Sequence, residues 1–311
     1  MAQDIKKKAL ELGFDLVGIT GAWPLDAEQS ELLTGWLKYG FAGKMNFMHR
    51  NSQMRIKPAQ LLENAKSVIC VGLNYKPPKQ KQTPTNHTAP AGKVANYAQY
   101  EDYHLFIKKQ LHKLIDFIGP ISGTSHKFKI CVDSAPLAER ALAARAGLGF
   151  IGKNHMLINP TLGPQILLGE IITTAKLQPD EPIIANCSGC GKCIEACPIG
   201  ALRADGQLDA NKCASYLTIE YKGQIPTDLA DKIGDRLFGC DECVLACPYQ
   251  QNAPVCKNKQ FKFYDDRAEL NLHEILDLTE EQFETRFADS VIKRSGLDRL
   301  QRNAKICLAN V

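Results

Sequence analysis

The sequence predicts an α+β protein in three consecutive parts: a mixed α/β domain over residues 1–180, a small cysteine-rich domain over 181–256 and a short helical, basic segment over 257–311. Three observations carry this prediction. Helical and strand-like periodicities alternate through the first part. Eight of the twelve cysteines stand at short, fixed intervals between Cys187 and Cys247. From Gln260 onward the apolar residues take the spacing of amphipathic helices. A chain of 311 residues also exceeds the usual single-domain size.

The elements follow in order. Residues 3–12 read as a helix, LVGI at 16–19 as a strand, and the stretch from Ala27 as a helix closed by Gly40. SVICVGL at 67–73 and FKICVD at 128–133 read as strands, flanked by a helix over 103–118. Between them, 76–93 is rich in proline, lysine and threonine and reads as a loop, having little apolar surface to offset its ordering entropy. The most apolar stretch, QILLGEIITTAKL, is broken by Glu170, and no run of eighteen apolar residues exists to span a membrane. Glu11 and Asp15 interrupt any signal-peptide core. A cytoplasmic monomer with reduced thiols is expected. The net charge of +4 permits a nucleic-acid partner without requiring one.

Cys187-x-x-Cys190-x-x-Cys193-x-x-x-Cys197-Pro198 matches the bacterial ferredoxin run, in which the fourth cysteine ligates the other cluster when two are present. The second motif, Cys240-x-x-Cys243-x-x-x-Cys247-Pro248, has only three cysteines, and Cys213 between the motifs supplies the eighth thiolate. We therefore assign Cys187, Cys190, Cys193 and Cys247 to one [4Fe–4S] cluster and Cys197, Cys213, Cys240 and Cys243 to another. A structural zinc site would want two separated pairs rather than three evenly spaced cysteines. Cys70, Cys131 and Cys307 read as buried apolar residues and Cys256 as a surplus thiol in a polar loop.

Two clusters imply a second redox group upstream. The runs NYAQYEDYH at 96–104, CVDSAPLAERALAARAGLGFIGKNHMLINP at 131–160, LLGEI at 167–171, CASYLTIE at 213–220, GCDECVLACP at 239–248 and SGLDRLQRNAKICLAN at 295–310 closely resemble epoxyqueuosine reductases. The resemblance covers almost the whole chain. It implies a nitroreductase-like, cobalamin-binding first domain related to reductive dehalogenases, and reduction of a modified nucleoside at the wobble position of tRNA. A low-potential electron donor is implied as a partner. No Asp-x-His-x-x-Gly motif is present, in keeping with cobalamin bound base-off. The resemblance makes Asp133 the proton donor, places Tyr103 and Arg140 at the substrate, and suggests Arg55, Lys153, Asn154, Ser215, Cys240 and Asp241 at the cofactor.

Physically, an acid beneath a corrin must stay protonated near neutral pH, and desolvation is expected to raise the pKa of Asp133 accordingly. As residues alone, Asp133 and Ser134 could equally cap a helix starting at Pro136. Gly149, Gly152 and Gly163 suggest backbone lying against a flat ligand. Lys222 and the basic tail with Lys293, Arg294, Arg299, Arg302 and Lys305 suit phosphate contacts. The related motif usually has glycine where Tyr100 stands, and longer members continue into helical repeats beyond the position of Val311. The rival readings are a reductive dehalogenase, whose twin-arginine signal is not seen here, and a non-catalytic electron carrier, which leaves 131–160 unexplained.

Overall fold

A computed structural model describes residues 1–78, 89–121 and 125–310. The apolar runs of the first part pair into one antiparallel sheet, in which β1 (Leu16–Gly21), β2 (Ser67–Asn74), β7 (Ile166–Thr173) and β4 (Phe128–Cys131) lie side by side in the order β1-β2-β7-β4. Every residue of β2 and β7 is buried, because both faces of the sheet are covered. Alternation sends Ile69, Val71, Leu73, Leu167 and Ile171 to one core with Ile5, Ile107, Leu111 and Leu114. Val68, Cys70, Leu168 and Ile172 face the other core, beside Leu142 and Ala143. Glu170, one position from Ile171, faces the second core and is 0% exposed. Its backbone partners are Cys70 in β2 and Cys131 in β4.

The helices Ala2–Glu11, Ala27–Lys38 and Tyr103–Ile121 fall where the periodicity places them. Strand β4 ends two residues short of the expected strand, and the helix after it begins at Glu139 rather than Pro136. Val132 to Ala138 therefore form a connecting loop, and no side chain caps that helix. Neither Asp133 nor Ser134 is a cap.

The expected loop at 76–93 needs one correction, and its residues 79–88 lie outside the described part. Residues Ala91–Val94 form strand β3, which pairs parallel with β8 (Arg236–Phe238) and antiparallel with β9 (Glu269–Asn271). Gly92 looks like a loop residue in sequence but is needed for packing: a Cβ there would sit 2.7 Å from both Leu237 and Leu272. The tail is thus not wholly helical, since β9 precedes the helices Leu272–Asp277, Glu280–Arg286 and Leu297–Ala309. A short hairpin of β5 (Phe150–Ile151) and β6 (Leu157–Ile158) carries Lys153 to Met156 in its turn.

Tyr100 takes an extended backbone, φ −103° and ψ 171°, so no glycine is required there. Its ring stacks on Phe261 at 4.6 Å and 6° and is 1% exposed. Tyr100→Gly should lower unfolding free energy by about 3–5 kcal/mol, as for other large-to-small changes at buried aromatics, measured by denaturant unfolding of the cluster-loaded protein.

Candidate functional site

All twelve cysteines are free. Cys187, Cys190, Cys193 and Cys247 line a single cavity of about 240 Å3 together with Asn154 and Tyr249. Cys197, Cys213, Cys240 and Cys243 influence one another electrostatically as a second group. One cysteine of each set lies on a short helical turn, Cys193 in Lys192–Glu195 and Cys243 in Glu242–Leu245, and these turns pack on each other. Backbone N–H groups of Lys153 and Ala201 donate to the Cys187 and Cys197 sulfurs at 3.4 and 3.2 Å, the kind of contact that tunes a cluster's potential. Cys70, Cys131 and Cys307 are at most 1% exposed, and the backbone N–H of Cys256 is tied to the Lys76 carbonyl.

Asp133 lies just past β4 with a left-handed backbone, φ 56°, and its side chain is 54% exposed. Its carboxylate meets His104 Nε2 at 3.1 Å, while His104 Nδ1 meets Asp102 at 2.6 Å. Arg294 reaches in from the tail, 4.0 Å from Asp133 and in contact with the imidazole nitrogens of His104. Burial pushes the Asp133 carboxyl up, but the His104 hydrogen bond and the charges of His104, Arg294 and Arg140 outweigh it, and the net direction is down. This corrects the expectation of a desolvated, upshifted acid. For His104, burial works downward, yet its bonds to Asp102 and Asp133 win and its pKa rises above 6.5. The resting proton of the pair therefore sits mainly on the imidazole. Arg294 opposes this, since a guanidinium can only donate and needs a free lone pair on His104.

The remaining predicted residues fall around this centre. Tyr103 stacks on His104 at 4.0 Å and meets Tyr97 edge-on. Arg140 donates to the His155 carbonyl at 2.7 Å. Arg55 is 9% exposed, feels the charges of Glu139 and Asp133, and its Nε has no partner among the described residues. Asn154 bonds the Cys243 carbonyl and the Met156 N–H, so its amide straps the hairpin turn to the second cysteine motif. The Ser215 N–H donates to Cys213. Asp241 accepts the Asn96 N–H at 2.6 Å, and burial pushes its carboxyl up to about 6.

Beside Cys240 and Asp241 opens a cavity of about 400 Å3 lined by Asn96, Gln99, Gln165 and Gln250. Gln99 Oε1, Gln165 Nε2 and Gln250 Oε1 are buried there without partners among the described residues. A mix of unspent donors and acceptors fits a cofactor rimmed with amides, as cobalamin is. Asp133 does not line this cavity; Tyr97 links them, its hydroxyl feeling the charges of both Asp133 and Asp241. The glycines carry no such signal. A Cβ at Gly149, Gly152 or Gly163 would strike Ile158, Ile158 or Gln250 and Tyr249, so protein packing explains all three.

The basic tail is only partly free. Arg299 donates to the Ile219 carbonyl, and Arg302 to those of Leu217, Tyr221 and Gly223, so both bind the last helix to the cysteine-rich part. Lys293 pairs with Glu284 at 2.5 Å. Lys222 and Lys305 remain exposed. Sequence reading overlooked His104, Asp102, Glu139 and Glu170; the Asp-x-His at 102–104 inside the quoted motif was the available signal.

Residues 186–250 match the model of a 4Fe-4S double cluster binding domain. Together with the carboxylate–imidazole pair, this defines a two-cluster iron–sulfur oxidoreductase. Residues 55–134 match the model described as epoxyqueuosine reductase QueG, DUF1730, and the whole chain is 37% identical over 312 residues to the epoxyqueuosine reductase of Vibrio cholerae, spanning 83% of it. The chain belongs to the epoxyqueuosine reductase family. The enzyme of Streptococcus thermophilus superposes with a TM-score of 0.91 at 32% identity, over 99% of this chain and 80% of that one. An epoxyqueuosine reductase solved with an epoxyqueuosine-modified tRNA-Tyr stem loop gives 0.92 at 31% identity, over 99% and 80%. Among the described residues no helix is long and apolar enough to cross a membrane.

Cys213→Ala should leave one of two clusters, whereas Cys256→Ala should leave both, as read by iron content and by electron paramagnetic resonance of the reduced protein.

Proposed function

We propose that the chain reduces epoxyqueuosine to queuosine at the wobble position of tRNA, with Asp133 as the group that delivers the proton. The observation that carries this is the half-exposed Asp133 carboxyl bonded to a buried, upshifted His104. Conversion of the epoxide to an alkene takes up two electrons and two protons and releases one water. Cobalamin, when bound, supplies a strong metal-centred reductant that accepts electrons singly. Asn96, Gln99, Gln165 and Gln250 would hold its amide rim, with Cys240 and Asp241 on the cluster side and Arg55, Lys153, Asn154 and Ser215 around it.

The chain's own residues handle the proton. Asp133 faces the substrate and relays the proton: His104 passes it through the 3.1 Å contact to the Asp133 carboxylate, which hands it to the departing oxygen. Arg294 assists, because loss of the imidazole proton frees the lone pair that its guanidinium contacts. Arg140 spends one N–H on His155 and keeps the rest of its fork for a hydroxylated ring. Tyr103 covers the imidazole on one side.

The parts divide the work. Residues 1–180 carry the acid and, with groups from 181–256, hold the cofactor; 181–256 carry the electrons, and 257–311 with Lys222 receive the tRNA. Cys187 and Cys190 are half-buried while Cys193 and Cys247 are buried, so that cluster's outer edge is where a low-potential donor meets the monomer.

Anaerobic protein loaded with clusters and cobalamin, given a low-potential reductant and tRNA bearing epoxyqueuosine, should yield a nucleoside lighter by one oxygen in mass spectrometry. Asp133→Asn should lower the single-turnover rate by about 10²–10⁴-fold; an unimpaired variant excludes Asp133 as the acid. In the wild type the rate should fall as pH rises through the His104 pKa, above 6.5, because the proton is then lost. In His104→Gln that limb should move to lower pH, since Asp133 alone must hold the proton. Lys222→Ala should weaken tRNA binding and reduce the salt slope by about one, while Arg302→Ala should instead lower thermal stability.

A further inference from the structure

Beneath the Asp133 loop lies a pair of carboxyl groups that the reaction above does not use. Glu170, 0% exposed at the middle of β7, has neither oxygen bonded to an N–H or hydroxyl donor among the described residues. Glu139, the first residue of its helix, contacts it and also accepts the Asp133 backbone N–H at 2.5 Å. Two carboxyl groups in contact can bond only through a proton carried by one of them. An isolated carboxylate in this core is prohibitively costly, so Glu170 is the neutral member. The charges facing the pair do not remove this demand. Arg55 comes from the helix Ser52–Ile56, Asp133 and Arg140 flank Glu139, and the Cys70 and Cys131 thiols flank Glu170. Burial raises both carboxyls, Glu139 to about 7.

Asp133 needs holding. Its φ of 56° is one that residues with a side chain adopt at a cost, and the Glu139 carboxylate is the acceptor for its amide. We propose that Glu139 is a positioning residue that latches the Asp133 loop, with Glu170 as the buried proton store that keeps Glu139 ionised. When Glu139 takes up a proton of its own, it becomes a weaker acceptor, the latch loosens and the loop gains freedom. The consequence for catalysis rests on the role proposed for Asp133, but the latch itself exists without substrate and is tested without it.

Hydrogen–deuterium exchange of the cluster-loaded protein, free of tRNA and corrected for intrinsic rates, reads the protection of residues 131–138. The wild type should lose about tenfold of its protection there as pH falls from 8 to below 6, in line with a hydrogen bond to a charged acceptor. Glu139→Ala should be unprotected at every pH. Glu139→Gln keeps an acceptor oxygen and a similar volume, and its protection should not depend on pH. Infrared spectra at pH 8 should show a protonated-carboxyl band that Glu170→Gln removes. Wild-type protection in Glu139→Ala, equal pH dependence in Glu139→Gln, or a band that survives Glu170→Gln would each overturn the latch. Asp133→Asn separates the two ideas: full turnover with an intact pH-dependent latch would sink the acid role and leave the latch standing.

Discussion

The pairing of β3 between β8 and β9 is the constraint on which the site depends. Four residues from the first part are gripped by one strand from the cysteine-rich part and one from the tail, so all three meet in one small sheet. The grip continues past the strand. Ala95 donates to Phe238 at 2.8 Å and Asn96 to Asp241 at 2.6 Å, which brings Cys240 against the segment carrying Tyr97. Gly239, at φ 75°, allows this approach, because a Cβ there would lie 2.6 Å from that of Ala95. From Tyr97 the rings pass to Tyr103 and His104, and so to Asp133. Cys240 and Asp133, far apart in sequence, are thereby fixed within one chain of packed groups.

Much of this architecture was legible. The apolar run at 67–73 reads as a buried strand and forms β2, whereas the run that forms β7 is interrupted by Glu170 and does not announce itself as a strand. Strand β3 was hidden because its stability comes from partners some 145 and 180 residues downstream and because Gly92 is required by Leu237 and Leu272. Periodicity cannot register either fact.

The direction of the Asp133 shift was misread for a related reason. Burial is a local property that a sequence suggests, whereas the charges that override it come from His104 and, from the far end of the chain, Arg294. Arg299 and Arg302 show the converse error. In sequence they form a basic stripe suited to phosphate, but their guanidinium groups satisfy carbonyls at the ends of the helix Ala214–Ile219 and its following turn. A long cation near a helix C-terminus is as well suited to free backbone oxygens as to a polyanion, and only the fold decides between them.

Around Asp133 two environments hold protons on opposite terms. His104 is kept charged by carboxylates on both sides, so its proton is available toward the open face. Glu170 is kept neutral by burial with no donor or cation in contact among the described residues, so its proton is retained in the core. Asp133 touches the first through its side chain and is held by the second through its backbone, with Glu139 between. A single exposed carboxylate thus has its protonation governed from one side and its position from the other. The chemistry of the side chain and the conformation of the loop can then respond to different groups, which an isolated aspartate in solvent could not achieve.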